Sequence, residues 1–157
     1  APFPLASWTA DELAKLPEYY VMDLRRTMPE SVAPHMPSPD EIAACRWLTE
    51  DELTFYSAEY ARTGFQGGLQ WYRCQTGGMF LPDLQLFAGR TIDVPATFIS
   101  GASDWGNYQK PGDLEAMSST ACTRFEGVHF VDGAGHWVQQ EQPEAVSRLL
   151  LEFLQRR

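Results

Sequence analysis

Apolar positions along this chain change their spacing near residue 90. Before that point they recur at helical intervals, broken by Pro and Gly. Thr9-Ala10-Asp11-Glu12 has the form of a capping box ahead of Leu13 and Leu16, and Pro17 stops that helix early. The mix of apolar and charged residues from Tyr19 to Met28 suggests a further short helix, and Pro29, Pro34, Pro37 and Pro39 then punctuate a loop. Ser38-Pro39-Asp40-Glu41 is a helix start: a Ser cap, Pro in the first turn, and acids against the positive end of the helix dipole. Thr49-Glu50-Asp51-Glu52 repeats the signal. Leu53, Tyr56 and Tyr60 then fall on one face, with Gly64 as the stop. Gly67-Gly68 opens another short segment, Leu69 to Arg73.

After Arg90 the pattern turns strand-like. Ile92 to Ser100 is rich in β-branched and aromatic residues and nearly continuous in apolar ones, as a buried parallel strand requires. A second strand-like stretch runs from Thr123 to Val131. A C-terminal helix follows from Pro143, with Val146, Leu149, Leu150, Phe153 and Leu154 as its apolar stripe. The expected class is α/β: a helical half, then strand–helix–strand–helix.

Charge narrows the partners. Twelve Lys and Arg against 21 Asp and Glu give a net charge of −9 over 157 residues. That balance argues against nucleic acid, which needs clustered cations, and against an anionic membrane surface. No apolar run approaches the roughly 18 residues of a membrane span, and the first residues lack the basic and apolar segments of a signal peptide. The chain also starts without Met, which points to a processed N-terminus or to part of a longer chain. Cys45, Cys74 and Cys122 are odd in number and widely spaced, so a reduced, cytoplasmic setting is expected, with the three acting as small hydrophobes. Three His without a cluster at ligand spacing predict no metal site, and no cofactor is expected. Five Trp, six Tyr and nine Phe, 13% of the chain, suggest an apolar pocket or interface beyond the core.

The candidate chemistry lies just past the two strands. The first ends in Gly101-Ala102-Ser103-Asp104 and the second in Asp132-Gly133-Ala134-Gly135-His136-Trp137. In open α/β sheets the site lies beyond the carboxyl ends of the strands, which is where Asp104 and His136 fall. The small residues at 133–135 let the backbone turn sharply and present the imidazole. An acid followed by a base is the later part of the chain order of α/β-hydrolase triads, in which the carboxylate orients the imidazole and stabilises its charged form. A histidine that merely caps its loop is the blander alternative for His136 alone.

Gly133-Ala134-Gly135-His136-Trp137 followed by Gln140-Glu141-Gln142-Pro143-Glu144 resembles the histidine loop and final helix of the α/β-hydrolase fold superfamily. Gly64-Phe65-Gln66-Gly67-Gly68-Leu69-Gln70-Trp71-Tyr72-Arg73 resembles the cap motif of its epoxide hydrolase branch, which also houses haloalkane and fluoroacetate dehalogenases. The resemblance covers most of residues 19–156. It implies a helical cap over residues 1–90 and, over 91–157, the C-terminal strand–helix–strand–helix portion of the α/β-hydrolase parallel sheet. It also implies roles. His136 matches the base that activates water against a covalent ester, and Asp104 the acid that orients it. Tyr72 matches a cap tyrosine that bonds the epoxide oxygen and protonates the opening alkoxide. Tyr20 is the better match to the second cap tyrosine and Tyr19 the fallback, although a cap tyrosine taken alone is more often a core or rim residue. Trp105 and Trp137 flank acid and base as walls of a substrate pocket, or as ordinary packing.

The branch's nucleophile sits on a strand-to-helix turn reading Gly-x-Asp-x-Gly, with Ser for Asp in esterase relatives. Neither pentapeptide occurs in residues 1–157, nor does the His-Gly loop that precedes it in the family. Gly101-Ala102-Ser103-Asp104-Trp105-Gly106 spaces its glycines one place too far and occupies the acid's position, so Ser103 is rejected as nucleophile. Ala1-Pro2-Phe3 resembles the residues just after the family's sixth strand, so the chain reads as the C-terminal half of a longer hydrolase. The expectation is an epoxide hydrolase-like enzyme acting on a small apolar substrate and completed by an N-terminal half. Dehalogenase or esterase chemistry on the same fold is the near alternative. The distant one is a non-catalytic binding or assembly module, whose bare strand edge and apolar faces would take the N-terminal half or a second copy of the chain.

Overall fold

The computed structural model describes residues 2–156, apart from the side chain of Gln75; Ala1, expected to follow a strand, lies outside them. The chain divides into two compact units, Ala1–Trp47 with Ile92–Arg157, and Leu48–Thr91.

In the first unit, short helices α1 (Ala10–Leu13), α2 (Met28–Val32) and α3 (Pro39–Ala44) precede the sheet. Only the last follows its expected cap: Ser38 Oγ accepts the Glu41 amide at 3.3 Å, and the Glu41 carboxylate accepts the Ser38 amide at 2.8 Å. The box expected at Thr9 does not close. Glu12 instead accepts the Ala6 amide and pairs with Lys15, so α1 is a single turn. The helix expected over 19–28 is a run of turns, and the loop expected after Pro29 holds α2 and a 3₁₀ turn at Ala33–His35. The reason is local: Pro29 and Pro34 sit in first turns, where a missing N–H costs nothing, and Thr27 with Glu30 closes an unforeseen capping box.

The second unit holds α4 (Glu50–Thr63), α5 (Gln66–Thr76) and α6 (Leu81–Leu84). Thr49 caps α4 through the Glu52 amide, and Gly64 ends it at φ +71°, a left-handed value that favours glycine. α5 begins at Gln66 and runs through Gly67 and Gly68, so these glycines lie inside a helix where they were expected to open one. The Leu53, Tyr56 and Tyr60 face stays largely exposed.

Two parallel strands organise the rest of the first unit: β1 (Ala96–Gly101) and β2 (Phe125–Val131). Both start later than their sequence suggests. Ile92 makes only an isolated bridge to Cys122, and Pro95, lacking an N–H, delays the ladder until Ala96. The strands are half-buried over most of their length. The register slips between Ala96↔Phe125 and Phe98↔Val128, a bulge at Gly127 with φ +124°. Beyond it Ser100 pairs with Phe130 and Gly101 with Val131, so the two carboxyl ends finish level. A 3₁₀ turn (Trp105–Tyr108), α7 (Asp113–Ala116) and a wider helical turn (Met117–Ala121) connect them. After β2 come α8 (Val138–Glu141) and α9 (Pro143–Gln155).

The core is small. Val131, Ala134, Val138 and Val146 are buried, and Ile99, Ala145 and Leu149 pack on them. The α9 stripe is therefore only partly covered: Leu150 and Leu154 stay exposed.

Candidate active site

Level strand ends put the two expected polar residues side by side. The ladder continues past β1, with the Ala102 amide bonding Val131 O and the Ser103 amide bonding Ala134 O, both at 2.9 Å. This stitching lays the turn after β1 against the loop after β2. Gly101 permits the close approach: a Cβ there would stand 2.2 Å from the Gly135 carbonyl oxygen and 2.4 Å from that of Ala134.

Asp104 caps the 3₁₀ turn with its Oδ1, which accepts the Gly106 amide at 2.7 Å. Asn107, buried in that turn, donates to Gly101 O at 3.0 Å and ties it back to the strand. Asp104 is itself buried, 7% exposed. Burial pushes its carboxyl up, but hydrogen bonds from Tyr20, the Gly106 amide and His136 outweigh it and hold the group below the ordinary Asp range. It is an anion at neutral pH.

The loop after β2 turns at Gly133, φ +72°, and buries Ala134. His136 then meets the acid: Nδ1 lies 3.1 Å from Asp104 Oδ2. With Nδ1–H donated to the carboxylate, the imidazole lone pair is on Nε2, the nitrogen that can take a proton from water. The ring is 64% exposed while its acid is covered, an arrangement suited to a base that works at a surface or cleft.

Tyr20 is the third member. Its hydroxyl donates to Asp104 Oδ1 at 2.7 Å across 84 residues of sequence. Burial and the carboxylate beside it raise the phenol well above its usual value, so it stays protonated. Tyr19 points elsewhere, edge-on to His35 at 5.0 Å. Trp105 packs edge-on to Phe3 at 5.1 Å, and Trp137 stands edge-on to His136 at 5.4 Å, half exposed. Trp8 and Phe98 line a hollow of about 450 Å³ that Gly106 and Asn107 bound on one side. Tyr72 lies on α5 in the second unit and is exposed. Among the described residues no group of three or more His, Cys, Asp or Glu converges as a metal site.

No protein-family model matches the chain. Its sequence is 38% identical over 130 residues to epoxide hydrolase A of Mycobacterium tuberculosis, covering 80% of this chain and 37% of that enzyme. It is 33% identical over 125 residues to epoxide hydrolase 2 of Siraitia grosvenorii, covering 76% and 37%. Potato (Solanum tuberosum) epoxide hydrolase I superposes with a TM-score of 0.62 at 29% identity, over 78% of this chain and 38% of that one. The chain belongs to the epoxide hydrolase branch of the α/β-hydrolase fold. It spans little more than a third of the length of these epoxide hydrolase relatives.

Sequence reasoning toward this branch overlooked three groups at the site. The Gly106 amide and Gly101 act through the backbone, and only the glycines flanking Asp104 marked them. Glu141 belongs to the stretch that carried the resemblance, yet its position five residues after the histidine was the sole sign of contact. Its carboxylate accepts the Gly135 amide at 2.9 Å and the Trp137 amide at 3.0 Å.

Proposed function

We propose that these residues supply the acid–base part of an epoxide-opening hydrolase, with 1–90 as its helical cap and 91–157 as the C-terminal part of its core. In this reading a carboxylate outside the 157 residues attacks an epoxide carbon. The carbon–oxygen bond breaks, and Tyr72 gives its proton to the alkoxide. His136 Nε2 then takes a proton from water as that water attacks the ester carbonyl, releasing the diol and the carboxylate, while Asp104 stabilises the imidazolium. The imidazolium proton returns through solvent to the Tyr72 phenolate and resets both groups. Tyr20 assists at the epoxide oxygen once it turns from Asp104, the acceptor it holds here. The 3.1 Å contact between His136 and the buried Asp104, both beyond strand ends, is the observation that supports this reading best.

The substrate is a small apolar epoxide, with Trp105 and Trp137 lining its approach. The partner is the N-terminal half of such a hydrolase, and bare apolar side chains such as Ile92, Val94 and Leu154 also suit a second copy of the chain. The compartment is the cytoplasm: the three cysteines are free, as in a reducing setting. No helix among the described residues is long and apolar enough to cross a membrane.

The test supplies the N-terminal half and follows hydrolysis of a styrene oxide-type epoxide. His136→Ala lowers turnover by roughly 10²–10⁴-fold, and an ester adduct accumulates in the intact mass. Unchanged turnover sinks the assignment.

A further inference from the structure

Glu141 takes no part in the reaction just described. It ends α8, half-buried, and its side chain folds back along the histidine loop. Oε2 accepts the amide of Gly135 and Oε1 the amide of Trp137, the two residues on either side of His136. We propose that Glu141 is a positioning residue for His136: one carboxylate grips the backbone before and after the histidine and so sets the direction of its imidazole.

The proposal rests on His136 being the base, and it follows from what the loop needs. A short loop rich in small residues has many main-chain conformations, and an imidazole on it would sweep a wide arc. Other ties hold the loop nearer β2. Ala134 O accepts the Ser103 amide, and Gly133 O accepts the Gln142 side-chain amide at 3.4 Å. The Ser103 bond holds the Ala134–Gly135 peptide from its carbonyl side. Glu141 holds the same peptide through the Gly135 N–H and also bonds the His136–Trp137 peptide, which neither of those ties reaches. Two N–H groups aimed at one side chain require two acceptor oxygens. An ionised carboxylate has them, and the charge shortens and strengthens each bond. A glutamine of the same size offers one acceptor and turns an NH₂ group toward the other N–H. An aspartate is one methylene short of spanning both.

The test uses the ¹⁵N-labelled chain, with Glu141→Gln, Glu141→Asp and the control Glu144→Gln, which removes a charge from an exposed position early in α9. Amide exchange at Gly135 and Trp137 quickens by about tenfold or more in both Glu141 variants, and the His136 Nδ1 proton resonance broadens as its bond to Asp104 becomes intermittent. The control leaves both signals in place, and α9 amides report that every variant is folded. With the N-terminal half supplied, Glu141→Gln lowers kcat by about tenfold while KM moves less than about twofold.

Unaltered exchange at Gly135 and Trp137 overturns the clamp, whether or not an epoxide is hydrolysed. Faster exchange with an unaltered imidazole signal overturns the positioning role. If both signals change in a chain that hydrolyses no epoxide with its partner, the clamp stands and the proposed reaction falls.

Discussion

Replacing Gly101 by Ala tests whether the sheet end holds the acid and base together. The added Cβ would lie 2.2 Å from Gly135 O and 2.4 Å from Ala134 O. Both obstacles are main-chain oxygens, so no rotamer change removes them. A carbon and a carbonyl oxygen approach ordinarily to about 3.3 Å, so the loop must retreat from β1 by about 1 Å. The Ser103–Ala134 bond at 2.9 Å and the His136–Asp104 contact at 3.1 Å both span that seam. Overpacking costs roughly 1–3 kcal/mol, and a lost hydrogen bond adds about 1 kcal/mol. For a chain of this size, each kcal/mol lowers Tm by roughly 2–4 °C, which puts the expected loss on the order of 10 °C. Far-UV circular dichroism follows the melt, and imidazole NMR follows His136. A variant melting within about 2 °C of the parent, with the His136 Nδ1 proton still bonded to Asp104, refutes the account of the seam.

Two further predictions concern the carboxylate at this seam. Asp104 has a depressed pKa when folded, so its stabilisation is complete above the ordinary Asp value of about 3.9 and is lost as pH falls through the lower folded value. Asp104→Asn therefore removes that acid limb from denaturant melts taken at falling pH, and with the N-terminal half present it lowers turnover by roughly 10³–10⁴-fold; an acid limb identical in the variant contradicts the assignment. Tyr20→Phe leaves Oδ1 to the Gly106 amide alone, which costs about 1.5 kcal/mol and lets the Asp104 pKa climb toward its ordinary value. A ¹³C titration of the carboxyl carbon measures the climb, and no movement would show that the hydroxyl does not stabilise the charge.

Local chemistry was the legible part of this chain. The caps at Ser38 and Thr49 formed as their spacing predicts, because every atom involved lies within four residues. The same spacing at Thr9 failed where Glu12 found the Ala6 amide and Lys15 instead. Pro29 reads as a loop marker because proline breaks helix interiors, yet in a first turn it favours the helix. Asp104 and His136 were legible through a rule of topology, since strand ends gather polar residues whatever the details of the fold. Gly101 and Glu141 were not. One works through a gap and the other through main-chain amides, and neither leaves a pattern in side-chain chemistry.

The connection between β1 and β2 leaves at the carboxyl end of β1 and returns at the amino end of β2, and the ladder between the parallel strands fixes how far the two carboxyl ends reach. Asp104 and His136 therefore take their coordinates from the sheet and its first turn, while the stretch through α7 and the turn after it, exposed over much of its length, bonds neither of them. Loop closure costs little more as a loop lengthens. That stretch can accept insertions, deletions or a grafted segment and still return the chain to the same place, which gives evolution, or an engineer, a handle for reshaping the surroundings of the pair without rebuilding it.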